Sequence, residues 1–107
     1  MWAEQQLQPR VPGELRGTSS GTTTTTASLS AEPGQYELHL VCAGLPEAEL
    51  SVSTWRGVEV LAPVQVPCSG SVFNAPVVLP TEGADLTMGP GGLDSRFAYR
   101  LVPTGQP

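Results

Sequence analysis

Two cysteines and a single histidine are the residues of this 107-residue chain with the clearest chemical potential. Cys42 and Cys68 each close a run of alternating apolar residues, in LHLVCAG and VQVPCSG. A zinc site needs about four ligands, more than these three residues supply. A thioredoxin-like pair has two residues between its cysteines, whereas these lie 26 positions apart. A catalytic thiol needs a histidine base, but His39 is three positions from Cys42 and on a strand would face the other way.

A disulfide between Cys42 and Cys68 is the interpretation that we favour. Both cysteines fall at the end of the inward-facing side of an alternating strand, which places them at one end of a common core. Two buried free thiols are the alternative. A disulfide indicates an oxidising compartment, hence an extracellular or cell-surface location. The sequence predicts no metal, no cofactor and no catalytic residue.

A candidate ligand-binding face surrounds Trp55. If the strands near residues 35–43 and 48–55 form a hairpin, their alternation requires a loop of odd length and brings five outward residues onto one face. These residues are Glu37, His39, Ser51, Ser53 and Trp55. An aromatic ring beside hydrogen-bonding groups suits the apolar face of a sugar. The interpretation that we favour is that the N-terminal segment or another chain covers Trp55, and the ligand-binding face is the alternative.

The composition excludes some partners and favours strands. Ten acidic residues face five arginines and no lysine, and the net charge of −5 argues against nucleic acid as a partner. Only 14% of the residues are charged, against roughly 25% in an average soluble domain. Thr, Ser, Gly, Pro and Val fill the difference and favour strands and turns. No stretch is apolar for long enough to cross a bilayer.

About seven short strands separated by turns are predicted. The clearest alternation lies in QYELHLVCA and AELSVSTW. Pro63 and Pro76 lie within two later strands, so each of these strands is an edge or carries a bulge. This spacing predicts an all-β, antiparallel sandwich of jelly-roll or immunoglobulin-like architecture. We expect residues 1–20 to form a flexible arm or linker and residues 21–104 to form a single sandwich domain.

The segment TTTTTASLSAEPGQYELHLVCAG, followed by VQVPCSG, covers residues 22–70. It resembles small exported domains typical of high-GC actinobacteria, which often follow a secretory or lipoprotein-type signal. The use of arginine without lysine fits a high-GC genome. The resemblance implies export, supports the disulfide and assigns no functional residue. The first ten residues lack a basic start and an apolar centre, so a signal or lipid-anchor segment would have been removed.

These observations predict a non-enzymatic, exported cell-surface module with a structural or binding role. The alternative is a carbohydrate- or cell-wall-binding module that uses an exposed aromatic face. An enzyme has the least support, because no nucleophile has a histidine within obvious reach. The candidate partners are a cell-wall polysaccharide or another surface protein.

Overall fold

The chain folds into eight β-strands in the computed structural model, which describes residues 14–20, 24–44, 46–68, 72–89 and 95–104. In chain order the strands are β1 (Leu15–Ser20), β2 (Thr25–Leu29), β3 (Gly34–Ala43), β4 (Glu47–Thr54), β5 (Glu59–Pro67), β6 (Phe73–Leu79), β7 (Ala84–Gly89) and β8 (Arg96–Pro103). No helix occurs among the described residues. The prediction of an all-β fold is confirmed.

The strands form two antiparallel four-stranded sheets. The order is β1-β8-β3-β6 in sheet A and β2-β7-β4-β5 in sheet B. The first strand pairs with the eighth, the second with the seventh, the third with the sixth and the fourth with the fifth. The chain is therefore one long antiparallel ribbon, bent back after β4 and rolled into two sheets. This is the strand order of a jelly roll, the first of the two predicted architectures.

The first strand lies within the segment that we expected to be an arm. Leu15–Ser20 forms β1, which pairs along its whole length with β8 at one edge of sheet A. Leu15 packs against the core. The strand was not predicted because its six residues, with Gly17 near the centre, show too little alternation of polar and apolar side chains. The described residues therefore contain eight strands instead of about seven, and the first of them begins before residue 21. Residues 1–13 of the predicted arm lie outside the described residues.

One apolar layer lies between the sheets and contains alternate residues of the strands. Its largest fully buried side chains are Phe97, Leu38, Leu40, Leu50, Leu79, Leu86, Met88 and Leu101. In β4 and β6 the residues that face this layer are buried or half-buried and alternate with more exposed ones. In β3 and β8 the outward residues Val41, Ala98 and Arg100 are buried as well, and Val41 and Ala98 form a small second cluster with Val72 on the outer side of sheet A. Burial of each large apolar side chain stabilises the fold by roughly 1.5–3 kcal/mol.

The prolines occupy the positions that their chemistry allows. β5 and β6 are end strands of sheets B and A, so Pro63 and Pro76 both lie on edges, as predicted. The pairing of β4 with β5 also shifts register, because Leu50 faces Val64 while Val52 faces Leu61. One residue of β4 therefore faces two of β5, including Pro63. This β-bulge accommodates a residue that cannot donate a ladder hydrogen bond.

A disulfide joins the two sheets at one end of the core. Cys42 lies on β3 of sheet A, and Cys68 directly follows β5 of sheet B. Their Cα atoms are 4.8 Å apart, within the range that a disulfide spans, and Cys42 is completely buried. The backbone N–H of Cys68 donates to the carbonyl oxygen of Pro46 at 3.1 Å, which holds the end of β5 beside the start of β4. The predicted pairing is confirmed.

Reduction of the disulfide should destabilise the domain strongly. The cysteines are 26 positions apart, and closure of a loop of this length removes roughly 3.5 kcal/mol of chain entropy from the unfolded state. We expect urea unfolding with a reductant to show a loss of about this size. A C42A/C68A variant should be insensitive to the reductant. A change below about 1 kcal/mol in the natural chain would contradict the expectation.

Gly17 makes room for the ring of Tyr99 at the β1 side of the core. The two residues are paired across β1 and β8, and Tyr99 is only 6% exposed. A Cβ atom built on Gly17 would lie 2.5 Å from Tyr99 Oη and 2.9 Å from Cζ. Burial also raises the pKa of the Tyr99 hydroxyl above its ordinary value. A residue with any side chain at position 17 must therefore displace the ring.

Gly17→Ala should lower the free energy of unfolding by about 1–3 kcal/mol, the usual cost of adding a methyl group to a packed site. Thr18→Ala, a change at the next and exposed position of β1, should alter it by less than about 0.5 kcal/mol. Addition of Tyr99→Phe to the Gly17 variant should recover part of the loss, because Oη is the nearest atom. Equal stability of the two single variants in chemical denaturation would refute this account.

Candidate functional site

The five residues of the predicted ligand-binding face lie on two different sheets. Glu37 and His39 are on β3 of sheet A, whereas Ser51 and Ser53 are on β4 of sheet B. β3 pairs with β6 and β8, and β4 pairs with β5 and β7, so the hairpin that we expected between β3 and β4 does not exist. Both strands send their inward residues into the same core from opposite sides. The alternation of polar and apolar residues is the same whether β3 and β4 pair in one sheet or face each other across the core, so it could not distinguish the two.

Trp55 is half-exposed at the end of sheet B. It follows the last residue of β4, and 48% of its surface is accessible. Its ring lies directly on Gly83, where a Cβ atom would overlap the indole atoms Cδ2 and Cγ. Gly83 is buried and has a φ of +93°, a conformation that favours glycine. Part of the Trp55 ring therefore packs against the backbone of Gly83, while nearly half of the residue's surface remains accessible to solvent.

A tight turn holds Trp55 in place. Thr54, which is 1% exposed, accepts at Oγ1 from the backbone N–H groups of Arg56 at 3.3 Å and Val58 at 3.1 Å. Its backbone N–H donates to the Val58 carbonyl at 2.8 Å, and its carbonyl accepts from Gly57 at 2.9 Å. A buried threonine with four such bonds fixes the turn from inside. Val58, in the same turn, is 47% exposed.

Two rows of polar side chains cross the outer face of sheet B. The first row consists of residues paired across β2, β7, β4 and β5, namely Ser28, Asp85, Ser53 and Glu59. The second row contains Thr26, Thr87 and Ser51. Ser28 Oγ donates to Asp85 Oδ1 at 2.6 Å, and the hydroxyl oxygens of Thr26 and Thr87 are 3.3 Å apart. Ser53 precedes Trp55 by two residues, and Asp85 follows Gly83, on which the ring rests, by two residues, so strand alternation predicts that the first row adjoins the ring.

Sequence reasoning identified part of this surface and missed the rest. Trp55, Ser51 and Ser53 share the end and outer face of sheet B, whereas Ser28 and Asp85 come from strands more than twenty residues away in the chain. The alternation within their own strands predicts that Ser28 and Asp85 point outward, but it does not predict which residues lie next to them. None of the four strands of sheet B carries a basic residue, so hydroxyl and carboxylate groups dominate this face.

Glu37 and His39 belong to a charged network on the outer face of sheet A. Arg100 Nε donates to His39 Nδ1 at 2.9 Å, and His39 Nε2 is 2.7 Å from Glu37 Oε1. Arg100 Nη1 donates to Glu14 Oε1 at 3.1 Å, and the other oxygen of Glu14 pairs with Arg16 Nε. The network thus crosses three neighbouring strands, from the start of β1 over β8 to β3.

The hydrogen bonds of this network indicate which ring nitrogen of His39 carries the proton. A guanidinium group only donates, so His39 Nδ1 must accept from Arg100 and its proton must be on Nε2, which donates to Glu37. Both ring nitrogens are therefore engaged. The side chains of Arg100 and Glu14 are each 6% exposed, and that of His39 is 14% exposed. The arrangement connects strands and leaves neither nitrogen free for acid–base chemistry.

The part of the chain that the structure describes contains no further chemical centre of the kinds considered below. No group of three or more His, Cys, Asp and Glu side chains is placed there to hold a metal ion. Neither described cysteine is free. No helix in the same residues is long and apolar enough to span a membrane. The half-exposed Trp55 with its neighbouring polar rows, and the network of Glu14, Arg100, His39 and Glu37, are thus the two groupings of chemical interest among the described residues.

Comparisons with known proteins assign no family to the chain. A scan against protein-family models found no match, and a search of curated proteins found no similar sequence. The function therefore has to be inferred from the geometry of the two outer faces.

Loss of the Glu14 carboxylate should destabilise the fold more than loss of the Glu37 carboxylate. Removal of one partner from a buried ion pair leaves the other charge poorly compensated and costs about 3 kcal/mol, whereas an exposed pair contributes about 1 kcal/mol or less. Glu14 is 6% exposed against Arg100, and Glu37 is 47% exposed. We expect Glu14→Gln to lower the urea midpoint clearly and Glu37→Gln to change it little. Equal shifts would show that burial does not govern this network.

Proposed function

We propose that this chain is a non-enzymatic, exported module that acts at the cell surface as a structural or binding element. We further propose that it binds through the Trp55 surface, defined here as Trp55, Val58 and the row Ser28, Asp85, Ser53 and Glu59. The disulfide between the sheets is consistent with an oxidising environment and supports an extracellular or cell-surface location. A cell-wall polysaccharide or another surface protein are the partners that this surface fits.

The charged network supports a non-catalytic role. His39 is the only histidine of the chain, and both of its ring nitrogens are occupied by Arg100 and Glu37. A general base must have a nitrogen within reach of the proton that it abstracts. The same contacts give His39 a simpler role, because they join β3 to β8 and continue through Glu14 to β1.

The half-exposed Trp55 is the observation that carries the binding proposal. A large apolar side chain left in water forgoes roughly 1.5–3 kcal/mol of burial. Its turn is fixed by Thr54 and its ring rests on Gly83, so a ligand would meet a surface that is already in place. Preorganisation of this kind reduces the entropy that binding costs. Val58 extends the apolar area within the same turn.

Carbohydrate is the ligand class that the surroundings of Trp55 favour. An indole ring offers a flat apolar area for the C–H face of a sugar ring. Ser53 and Asp85 are paired across β4 and β7 in the adjacent row, where a hydroxyl and a carboxylate can bond to sugar hydroxyl groups.

Removal of the Trp55 ring should abolish most of the carbohydrate binding. The natural chain would first be screened on a glycan array and on isolated cell-wall polysaccharide, and the best ligand titrated by calorimetry. We expect Trp55→Ala to raise its dissociation constant by about tenfold or more, which corresponds to the loss of one buried aromatic contact. Val78→Ala is the matched control, since Val78 is an apolar residue of sheet A that is 56% exposed.

Tryptophan fluorescence tests the same surface independently. In a Trp2→Phe background, free Trp55 should emit at long wavelength and be quenched readily by acrylamide, and the ligand should shift the emission to the blue. Blue, poorly quenched emission without ligand would mean that Trp55 is covered, and the binding surface would have to be abandoned. Equal effects of Trp55→Ala and Val78→Ala would likewise exclude it.

A further inference from the structure

The four end strands of the two sheets are not equally protected against pairing with another strand. β1 and β6 end sheet A, and β2 and β5 end sheet B, within the described part of the chain. An end strand presents backbone N–H and C=O groups on its outer side, where a further strand can add. Proteins commonly block such edges with prolines, charges or bulges.

Prolines block the edges of β5 and β6. Pro67 follows Val66 on β5, and the N–H of the next residue, Cys68, points to β4 through its bond to Pro46. Backbone directions alternate along a strand, so the nitrogen of Pro67 faces the outer edge, where it has no hydrogen to donate. Pro63 lies in the bulge of the same strand, and Pro76 interrupts β6. A strand added to either edge would lack ladder bonds.

Charge marks the edge of β1. Arg16 lies within this strand and forms an ion pair with Glu14, which precedes it. Glu14 is bonded in turn to Arg100 on the neighbouring strand β8. A strand added beside β1 would have to accommodate this paired charge, so the edge is poorly suited to an uncharged partner.

β2 carries no proline, no charged residue and no bulge that would block its edge. It contains TTASL, and the ten residues of the surrounding segment, GTTTTTASLS, include no proline and no charge. β-branched, uncharged residues are those that favour pairing between strands. The outward side chains of Thr26 and Ser28 already form cross-strand contacts on their other side, with Thr87 and Asp85. This edge is therefore the one best suited to a further strand.

We propose that β2 of a second copy of this chain adds to β2 in antiparallel orientation and joins two B sheets into one sheet of eight strands. A second copy fits because β2 carries no charge, so like-with-like pairing brings no equal charges into opposition. Antiparallel addition to an identical strand produces a two-fold symmetric dimer. The opposite edge of sheet B is β5 with its prolines, so the assembly ends at two copies and does not grow into a fibre.

The dimer should be weak and sensitive to charge at position 26. A single pairing between five-residue strands buries little surface, which is typical of transient complexes, and we expect a dissociation constant of about 100 µM. Sedimentation equilibrium of the natural chain between about 10 µM and 1 mM should fit a monomer–dimer scheme. Thr26→Lys should raise the dissociation constant about tenfold or more by placing like charges close together. Val78→Lys adds the same charge beside the β6 edge and should leave it unchanged.

Mixing of opposite charges provides the decisive measurement. Thr26→Glu should weaken the dimer as Thr26→Lys does, and an equimolar mixture of the two variants should regain association, because their charges then attract across the two-fold axis. Position 26 is on the exposed side of β2, and melting temperatures close to that of the natural chain would show that the variants fold. A natural chain that is monomeric at 1 mM, species larger than a dimer, or equal loss in the Val78 variant would overturn the proposal. Failure of the mixture to associate would also overturn it and would leave the Trp55 surface unaffected.

Discussion

The two sheets share a single apolar layer, and every strand has to present alternate residues to it. The second apolar cluster among the described residues, Val41 and Ala98 with Val72, is too small to compensate for a strand that fails to do so. This constraint explains why Gly17 leaves space for Tyr99, and why the bulge at Pro63 keeps Val64 and Leu61 opposite their partners on β4. The disulfide strengthens the layer at one end by linking β3 of sheet A to the end of β5 of sheet B.

The outer faces of the two sheets differ in chemistry, and that of sheet A also buries Val41 and Ala98. On sheet A, Arg100 is almost completely buried against His39 and Glu14, so its charge serves to connect strands. On sheet B the strands carry hydroxyl and carboxylate groups and no basic residue. The Trp55 ring stands at the end of this second face, seated on Gly83. An apolar ring beside polar groups is suited to binding, whereas a satisfied ion network is suited to stability.

Much of the fold follows from local patterns in the sequence. Alternation in β3 and β4 identified the buried side of each strand, because side chains of a strand alternate between two faces whatever its neighbours are. Pro63 and Pro76 identified edge strands, because proline cannot donate to a ladder. The inward positions of Cys42 and Cys68 at strand ends identified the disulfide. β1 was missed because its six residues, with a central glycine, carry too little pattern.

The sequence by itself determined the all-β fold, the inward side of the best strands, the edges that carry proline and the cysteine pairing. Only the tertiary structure decided which strands are neighbours. The rolled ribbon pairs β2 with β7 and β3 with β8, across separations of more than fifty residues, and such pairings leave no local signal. That is why Trp55 and Ser53 adjoin Asp85 and Ser28, while His39 and Glu37 face the opposite side of the molecule. Alternation specifies a face for each residue, but the burial of one common core selects which strands lie side by side.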